Sequence, residues 1–329
     1  MAIFQRTTGD KTTRLDKEAK TLILVLGEHT TVDLSSPPGG MMIIPGGLPM
    51  SVDADDPNVV SVSAEPTAFK TAESLATYEV TAMRSGSTRL TARPLFKSYA
   101  DPAQRRRDWL SSPAVAELNV TVFGAEYRQS GGTWGNLTYG STNPTWRNVH
   151  WTTMAEAGCG PTSLAMILDF LERLSPNAPR GAVSFAGVTP ADTMVYTSQY
   201  GRAANAQGVP QGTSGQIMMD NISRYRPDYT SRPILDLEDA KAMLRQHKPL
   251  VFLAKNNVVT WKYDQKGQRV EKAWPGHFMV VLGFEGKGDP FWSADSSQFQ
   301  GKFISASELS RCAMWVIERW RDARSVASH

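Results

Sequence analysis

The sequence predicts two domains, an all-β sandwich over residues 1–125 and a mixed helix-and-strand domain over residues 126–329. Three observations carry this expectation. A chain of 329 residues exceeds what a single hydrophobic core commonly serves. Short apolar runs separated by turn chemistry fill its first part. Eight of its nine tryptophans follow residue 125, so the two parts differ in character as well as in pattern.

In the first part, strands are predicted at 21–26, 31–34, 50–54, 59–64, 77–82, 88–92 and 117–123. Period-two alternation puts Val60, Val62 and Ala64 on one face, and Leu118, Val120 and Val122 on another. The separators are Pro37-Pro38-Gly39-Gly40, Pro45-Gly46-Gly47, Asp55-Asp56-Pro57-Asn58 and Ser85-Gly86-Ser87, which favour turns. Seven short strands in so short a stretch imply an antiparallel sandwich. The insert at 97–112, with Arg105-Arg106-Arg107, reads as a solvated loop. From 129 to 143 the chain is rich in Gly, Ser and Thr, yet Trp134 and Tyr139 suit a segment draped over the second domain rather than a free linker.

Composition excludes several classes. The formal charge is +3, with 13 basic against 14 acidic residues through residue 125 and 22 against 18 beyond it, so neither part is a polycation for nucleic acid. No stretch approaches the roughly 20 apolar residues of a membrane-spanning helix. Two cysteines, Cys159 and Cys312, make neither a disulfide framework nor a four-cysteine zinc site. The absence of HxxxH or CxxC spacing leads us to expect no metal and no cofactor. The polar, charged N-terminus lacks an apolar signal segment. Synthesis in the cytoplasm is therefore expected, with any export left to a machine that reads no N-terminal signal.

The second part holds the chemistry. In Gly158-Cys159-Gly160-Pro161-Thr162-Ser163-Leu164, Pro161 suits a first helical turn. Leu164, Ile167, Leu168, Leu171 and Leu174 then mark one apolar face of a helix that Pro176 stops. Cys159 would sit at that helix's N-terminus, where the dipole favours thiolate, the nucleophilic form. Cys312 lies in a late apolar strand and reads as a core thiol.

A nucleophilic thiol needs a base. His277, in Pro275-Gly276-His277-Phe278-Met279-Val280-Val281-Leu282, opens an apolar strand that would hold its ring rigidly. His29 and His329 fall in a turn and a tail. His247 reads as a helix C-terminus where a cation is favourable, and His150 stays open on spacing. The run 283–290 reads as a hairpin turn. Pairing across it would return Asp295 to the end where His277 sits, to accept the imidazole N–H; capping its own turn is the equal alternative. Asp289 would lie at the opposite end. Trp261, Trp274, Trp292 and Trp315 read as core residues that could instead line a groove.

These motifs carry two resemblances. Asp53 to Val62, Gly86-Ser87-Thr88-Arg89-Leu90-Thr91-Ala92 and Leu118-Asn119-Val120-Thr121-Val122 resemble bacterial immunoglobulin-like domains of the group 2 kind. The Cys159 and His277 motifs, Trp292-Ser293-Ala294-Asp295, Thr189-Pro190-Ala191-Asp192 and Gly212-Thr213-Ser214 resemble papain-like peptidases of the bacteriocin-processing (double-glycine) family. That second likeness spans roughly residues 147–320. It implies a papain-like α+β fold with Cys159 as nucleophile, His277 as general base and acid, and Asp295 as orienting residue. The family's glutamine, about six residues before the cysteine, is replaced here by Thr153, which leaves the Cys159 N–H as one expected oxyanion donor and a hydroxyl or amide from Trp151-Thr152-Thr153, Thr153 foremost, as the other. The family's Asp-Pro pair becomes Asp295-Ser296.

The resemblance implies a cysteine peptidase or amidase acting through a thioester. By analogy, a sandwich joined to such a domain suits a secreted bacterial effector toxin with a protein substrate. Secretion machinery or an immunity protein would be its partners, with no nucleic acid and no membrane insertion. Cleavage of peptidoglycan cross-links is one alternative. A papain-like binding module with impaired turnover is another, motivated by the missing glutamine; a third makes the sandwich the functional end.

Overall fold

The structure is a computed structural model; it describes residues 3–6, 13–16, 20–35, 50–63, 67–70, 75–94, 114–139, 153–174, 187–204, 210–286 and 288–319. These fall into two compact units, one ending at Phe123 and the other beginning at Gly124.

The first unit is built from β1 (Ile3–Arg6), β2 (Arg14–Asp16), β3 (Thr21–Val25), β4 (His29–Ser35), β5 (Met50–Ala54), β6 (Val60–Val62), β7 (Ala68–Lys70), β8 (Leu75–Ala82), β9 (Gly86–Pro94) and β10 (Ala116–Phe123). One sheet has the order β1-β4-β8-β6, with β7 also on β8; the other runs β2-β3-β10-β9-β5. Alternate residues of both sheets, including Leu22, Leu24, Val32, Leu34, Tyr78, Val80, Leu118, Val120 and Val122, share one core. That is the packing by which two half-apolar sheets remove their inner faces from water.

Each of the seven expected strands has an observed counterpart, and β1, β2 and β7 add to them. At three or four residues, those additions are too short for a period of two to show. The pairing is antiparallel with one exception, which corrects the expectation of a wholly antiparallel sandwich. β10 runs parallel to β3, with Val120 opposite Leu22 and Val122 opposite Leu24. A turn at Gly27, whose φ of +80° suits glycine, carries the chain from β3 into the other sheet. That leaves β3 to take the last strand as a neighbour. The segments 37–40, 45–47 and 97–112 lie outside the described residues.

The second unit starts with a short strap and α1 (Met154–Ala157), then α2 (Cys159–Arg173), α3 (Pro190–Tyr200), β11 (Arg202–Ala204), β12 (Pro210–Thr213), α4 (Gly215–Asp220) and α5 (Ile222–Tyr225). It continues through β13 (Tyr229–Pro233), α6 (Leu237–Arg245), β14 (Leu250–Tyr263), β15 (Arg269–Phe284), β16 (Phe291–Asp295), β17 (Phe303–Ile304), α7 (Ala306–Leu309) and β18 (Ala313–Arg319). Six strands form one antiparallel sheet in the order β13-β18-β14-β15-β16-β17. Every residue of 250–254 and of 278–282 is buried. An apolar run without alternation marks strands covered on both faces, and α2 and α6 pack against this pair.

The strap is pinned rather than free. Gln129 N–H donates to the Ser296 carbonyl (2.8 Å), Trp134 Nε1 donates to the Arg128 carbonyl (2.7 Å), and Tyr139 is fully buried. Its aromatic residues supply apolar area that a Gly- and Ser-rich linker lacks.

Candidate active site

The cysteine helix begins where the sequence pattern puts it, with Gly158 as its N-cap and Cys159 as its first residue. Both flanking glycines are required by close approach. A Cβ on Gly158 would meet the Met154 carbonyl oxygen at 2.4 Å, and one on Gly160 would meet Thr213 Oγ1 at 2.3 Å. The helix is not the one-sided element that its leucine spacing suggests. Every residue from Gly160 to Phe170 is buried, whereas Leu174 is 46% exposed. A helix packed into the middle of a domain buries its whole circumference, and its ends fray to solvent. The buried Asp169 is paired with Arg173 (2.8 Å) and accepts the Ala125 N–H (3.1 Å), which ties the strap to the helix.

His277 lies on β15, opposite Ala254 of β14. The strand starts at Arg269, so His277 does not open it, contrary to expectation. It marks the point where β15 passes from an exposed ribbon to the buried sheet. A bulge in β14 between Lys255 and Val258 coincides with left-handed φ at Asn256 (53°) and Asn257 (59°), and such a bulge re-aims neighbouring side chains.

Across the 285–290 turn, β16 pairs with β15 and puts Asp295 opposite Met279. His277 Nε2 then donates to Asp295 Oδ1 at 2.7 Å. The carboxylate also accepts Ser297 N–H (2.8 Å), Ser297 Oγ (2.8 Å) and Gly301 N–H (2.8 Å). The two alternatives for Asp295, turn cap and imidazole acceptor, are thus both realised. Four donors satisfy a fully buried carboxylate that would otherwise be costly. Asp289 is at the far end, accepting the Ala306 N–H.

With Nε2 occupied, the other ring nitrogen of His277 is the one left for Cys159, with which it hydrogen-bonds. Trp274 covers the imidazole, stacked at 4.1 Å between centroids and 16° between planes. Its own Nε1 donates to Thr260 Oγ1 (2.8 Å), which fixes the indole.

The electrostatics follow from these contacts. Burial works against the Cys159 thiolate, but His277 and the N–H groups of Phe278 and Gly160 outweigh it and hold the thiol below its ordinary range. For His277, burial opposes the charge, and the hydrogen bonds to Asp295 and Cys159 overcome it, raising the pKa to about 9. Burial likewise disfavours ionised Asp295, and the imidazolium with the backbone donors holds its pKa down. All three shifts favour the same state: thiolate, imidazolium and carboxylate in a row. Cys312 is the opposite case. Burial, then the Glu308 carboxylate, pushes it up to about 12.

The other expected residues fall elsewhere. Thr153 caps α1, and its N–H donates to Glu156 Oε2 (3.0 Å). It is not among the residues lining the cleft around Cys159. The Thr153 N–H is thus engaged at the helix start rather than free to serve as the expected oxyanion donor. Gln129 does approach α1 from the strap, but its Nε2 is committed to the Ala155 carbonyl (2.7 Å). His29 pairs with Thr81 in the first unit (2.9 Å). His247 follows α6 with a left-handed φ of 59°, and burial lowers its pKa, so it is not the favourable helix-end cation expected. His150 and His329 lie outside the described residues. Of the four tryptophans, Trp315 lines the cleft, Trp292 is core, Trp261 stacks on Phe303, and Trp274 serves the imidazole.

The cleft beside Cys159 encloses about 500 Å³, walled by Leu253, Phe278, Ala313 and Trp315, with Thr213 and Lys255 among its polar residues. The described residues contain no group of three or more His, Cys, Asp or Glu placed to hold a metal ion. Lys255 and Trp274 reach the site from β14 and β15 of the six-stranded sheet, and Thr213 from β12 of the two-stranded one. Thr213 belongs to the Gly212-Thr213-Ser214 motif and Trp274 to the tryptophans that read as core or groove, whereas no local pattern marks Lys255.

Comparison with known proteins gives three results. No curated protein matches the chain. Among solved structures, domains 4 and 5 of the S-layer protein SbsC match at 16% identity with a TM-score of 0.21, over 37% of this chain and 46% of that one. Domains 5–6 of SbsC match at 12% identity and a TM-score of 0.21, over 90% of this chain and 98% of that one. The chain thus spans less than half of the first, and likeness at these scores carries no argument about fold. The Peptidase_C39 like family model matches residues 141–328, more than half of the sequence. A match of that extent makes the second unit a papain-like cysteine peptidase domain: the chain belongs to the Peptidase_C39 like family.

Proposed function

We propose that the protein hydrolyses a peptide or amide bond, with Cys159 as nucleophile, His277 as acid and base, and Asp295 holding the ring. The observation that carries this reading is the chain of contacts from thiol through imidazole to carboxylate. A thiolate and an imidazolium supply the two things amide cleavage needs, an attacking electron pair and a proton for the departing amine.

The Cys159 thiolate forms a C–S bond to the substrate carbonyl carbon, and the carbonyl π electrons move onto oxygen. The helix N-terminus at Cys159 offers backbone N–H groups to that oxyanion. Collapse of the tetrahedral species breaks the C–N bond, and the His277 imidazolium delivers its proton to the amine, leaving a thioester. Neutral His277 then takes a proton from water as the hydroxyl oxygen attacks. A second collapse releases the acid and restores the ion pair. Asp295 stabilises the charged imidazole and fixes its plane throughout.

For the first unit, two five-stranded sheets over one core support an immunoglobulin-like sandwich with an accessory role. A protein substrate is favoured over a peptidoglycan cross-link, in keeping with the peptidase family.

The test is a denatured bacterial proteome incubated with the wild type, Cys159→Ala and His277→Ala, with new N-termini read by mass spectrometry. Peptide-bond cleavage is expected with the wild type alone. Identical new termini in Cys159→Ala would remove the proposed nucleophile. Purified sacculi run in parallel report on the murein alternative, since release of muropeptide cross-links by the wild type alone would favour it.

A further inference from the structure

The cleft beside Cys159 has mainly apolar and small neutral residues on its walls, and among the residues lining it Lys255 is the one cation, with no Asp or Glu beside it. Lys255 is exposed at the end of the buried part of β14, directly opposite Gly276 and one residue from Ala254, which faces His277. It therefore stands near the reacting pair on the strand that forms one wall.

The local backbone is held in place. The bulge at Asn256 and Asn257 follows immediately, and the Asn256 carbonyl accepts from Arg311 Nη2 (2.7 Å). Arg311 is itself neutralised by Glu308 (2.9 Å). The Lys255 ammonium, by contrast, makes no hydrogen bond or ion pair with any described residue. An ammonium beside apolar walls gains most from an anion that enters the cleft, because the walls displace water that would otherwise screen it.

We propose that Lys255 is a specificity-determining residue that selects substrates carrying a carboxylate within a residue or two of the scissile bond. The inference rests on the amide-hydrolase reading of this same site. The carboxylate is either an acidic side chain or a free C-terminal group, and the experiment separates these sources.

Three chloroacetyl dipeptide probes serve. One carries Glu and an amidated C-terminus, one Gln and an amidated C-terminus, and one Gln and a free C-terminal carboxylate. Second-order rates of Cys159 alkylation are measured by intact mass at neutral pH and low salt. Wild type is expected to react roughly tenfold faster with one of the two carboxylate probes than with the neutral one, the lower end of what a charge-assisted hydrogen bond supplies. Added salt shrinks the ratio. Lys255→Gln abolishes the preference, so that the carboxylate and neutral probes react at the same rate in that variant, and Lys255→Glu inverts it. Equal rates with all three probes in the wild type overturn the proposal. So does a preference that survives Lys255→Gln, because Lys255 would then not be the cation responsible. Failure of every probe to modify Cys159 would instead sink the hydrolase reading itself.

Discussion

The two cysteines of this chain should differ in reactivity far more than their similar partial burial suggests. At pH 7, Cys312, pushed up to about 12, is thiolate in about one molecule in 10⁵. An ordinary thiol is thiolate at the level of a few per cent. Cys159, held below the ordinary range by His277 and two backbone N–H groups, exceeds even that. The thiolate ratio is therefore at least about 10³. The more basic Cys312 thiolate recovers roughly 30-fold through its greater intrinsic nucleophilicity. Alkylation by iodoacetamide should thus favour Cys159 by about 10² or more. The assay is a time course of intact mass with peptide mapping at pH 7. In His277→Ala the imidazolium is gone and only the N–H groups of Phe278 and Gly160 are left to offset burial, so Cys159 labelling should slow by about tenfold or more. Comparable rates at both cysteines, or no change on removing His277, would refute the ion-pair argument.

Activity should vanish on the alkaline side as His277 deprotonates near pH 9, since the amine then departs without a donated proton. The acid limb should fall below the ordinary thiol range, and a kcat/KM profile from pH 4 to 10 locates both. Asp295→Asn removes the anion that raises His277, so the alkaline limb should move down by roughly a unit or more; an unmoved limb would separate Asp295 from the titration. Asp295→Ala strands the imidazole and three further donors in a buried site, and urea unfolding should show a loss of about 3–5 kcal/mol. Gly160→Ala drives a methyl against the Thr213 side chain at 2.3 Å. It should cost about 1–3 kcal/mol, read as a lower Tm, and Thr213→Ser in the same chain leaves most of that loss in place, because the hydroxyl remains.

Much of the site was legible because its signals are local. Pro161 after Gly160, the leucine spacing and the turn at 283–290 each describe a few consecutive residues, and each has a counterpart in the structure. The hairpin argument even brought Asp295 to His277 by counting along two strands. What failed was reasoning by proximity in sequence. Thr153 stands six residues before Cys159, yet it is absorbed in capping a four-residue helix. Gln129, thirty residues upstream, is carried back beside α1 by the strap. The leucine stripe of α2 missed its polar-looking faces, because Thr162 and Ser163 are as buried as Leu164.

The sequence by itself determined the alternating strands of the first unit, the helix start that exposes Cys159, and the strand that carries His277. Those features rest on periodicity, turn chemistry and backbone capping, which act within a few residues. Tertiary structure alone decided that Trp274 covers the imidazole, that Ser297 and Gly301 complete the shell of Asp295, and that Lys255 reaches the thiol's cleft. Each depends on register between strands far apart in the chain. Register is set by the sum of many packing contacts rather than by any local pattern.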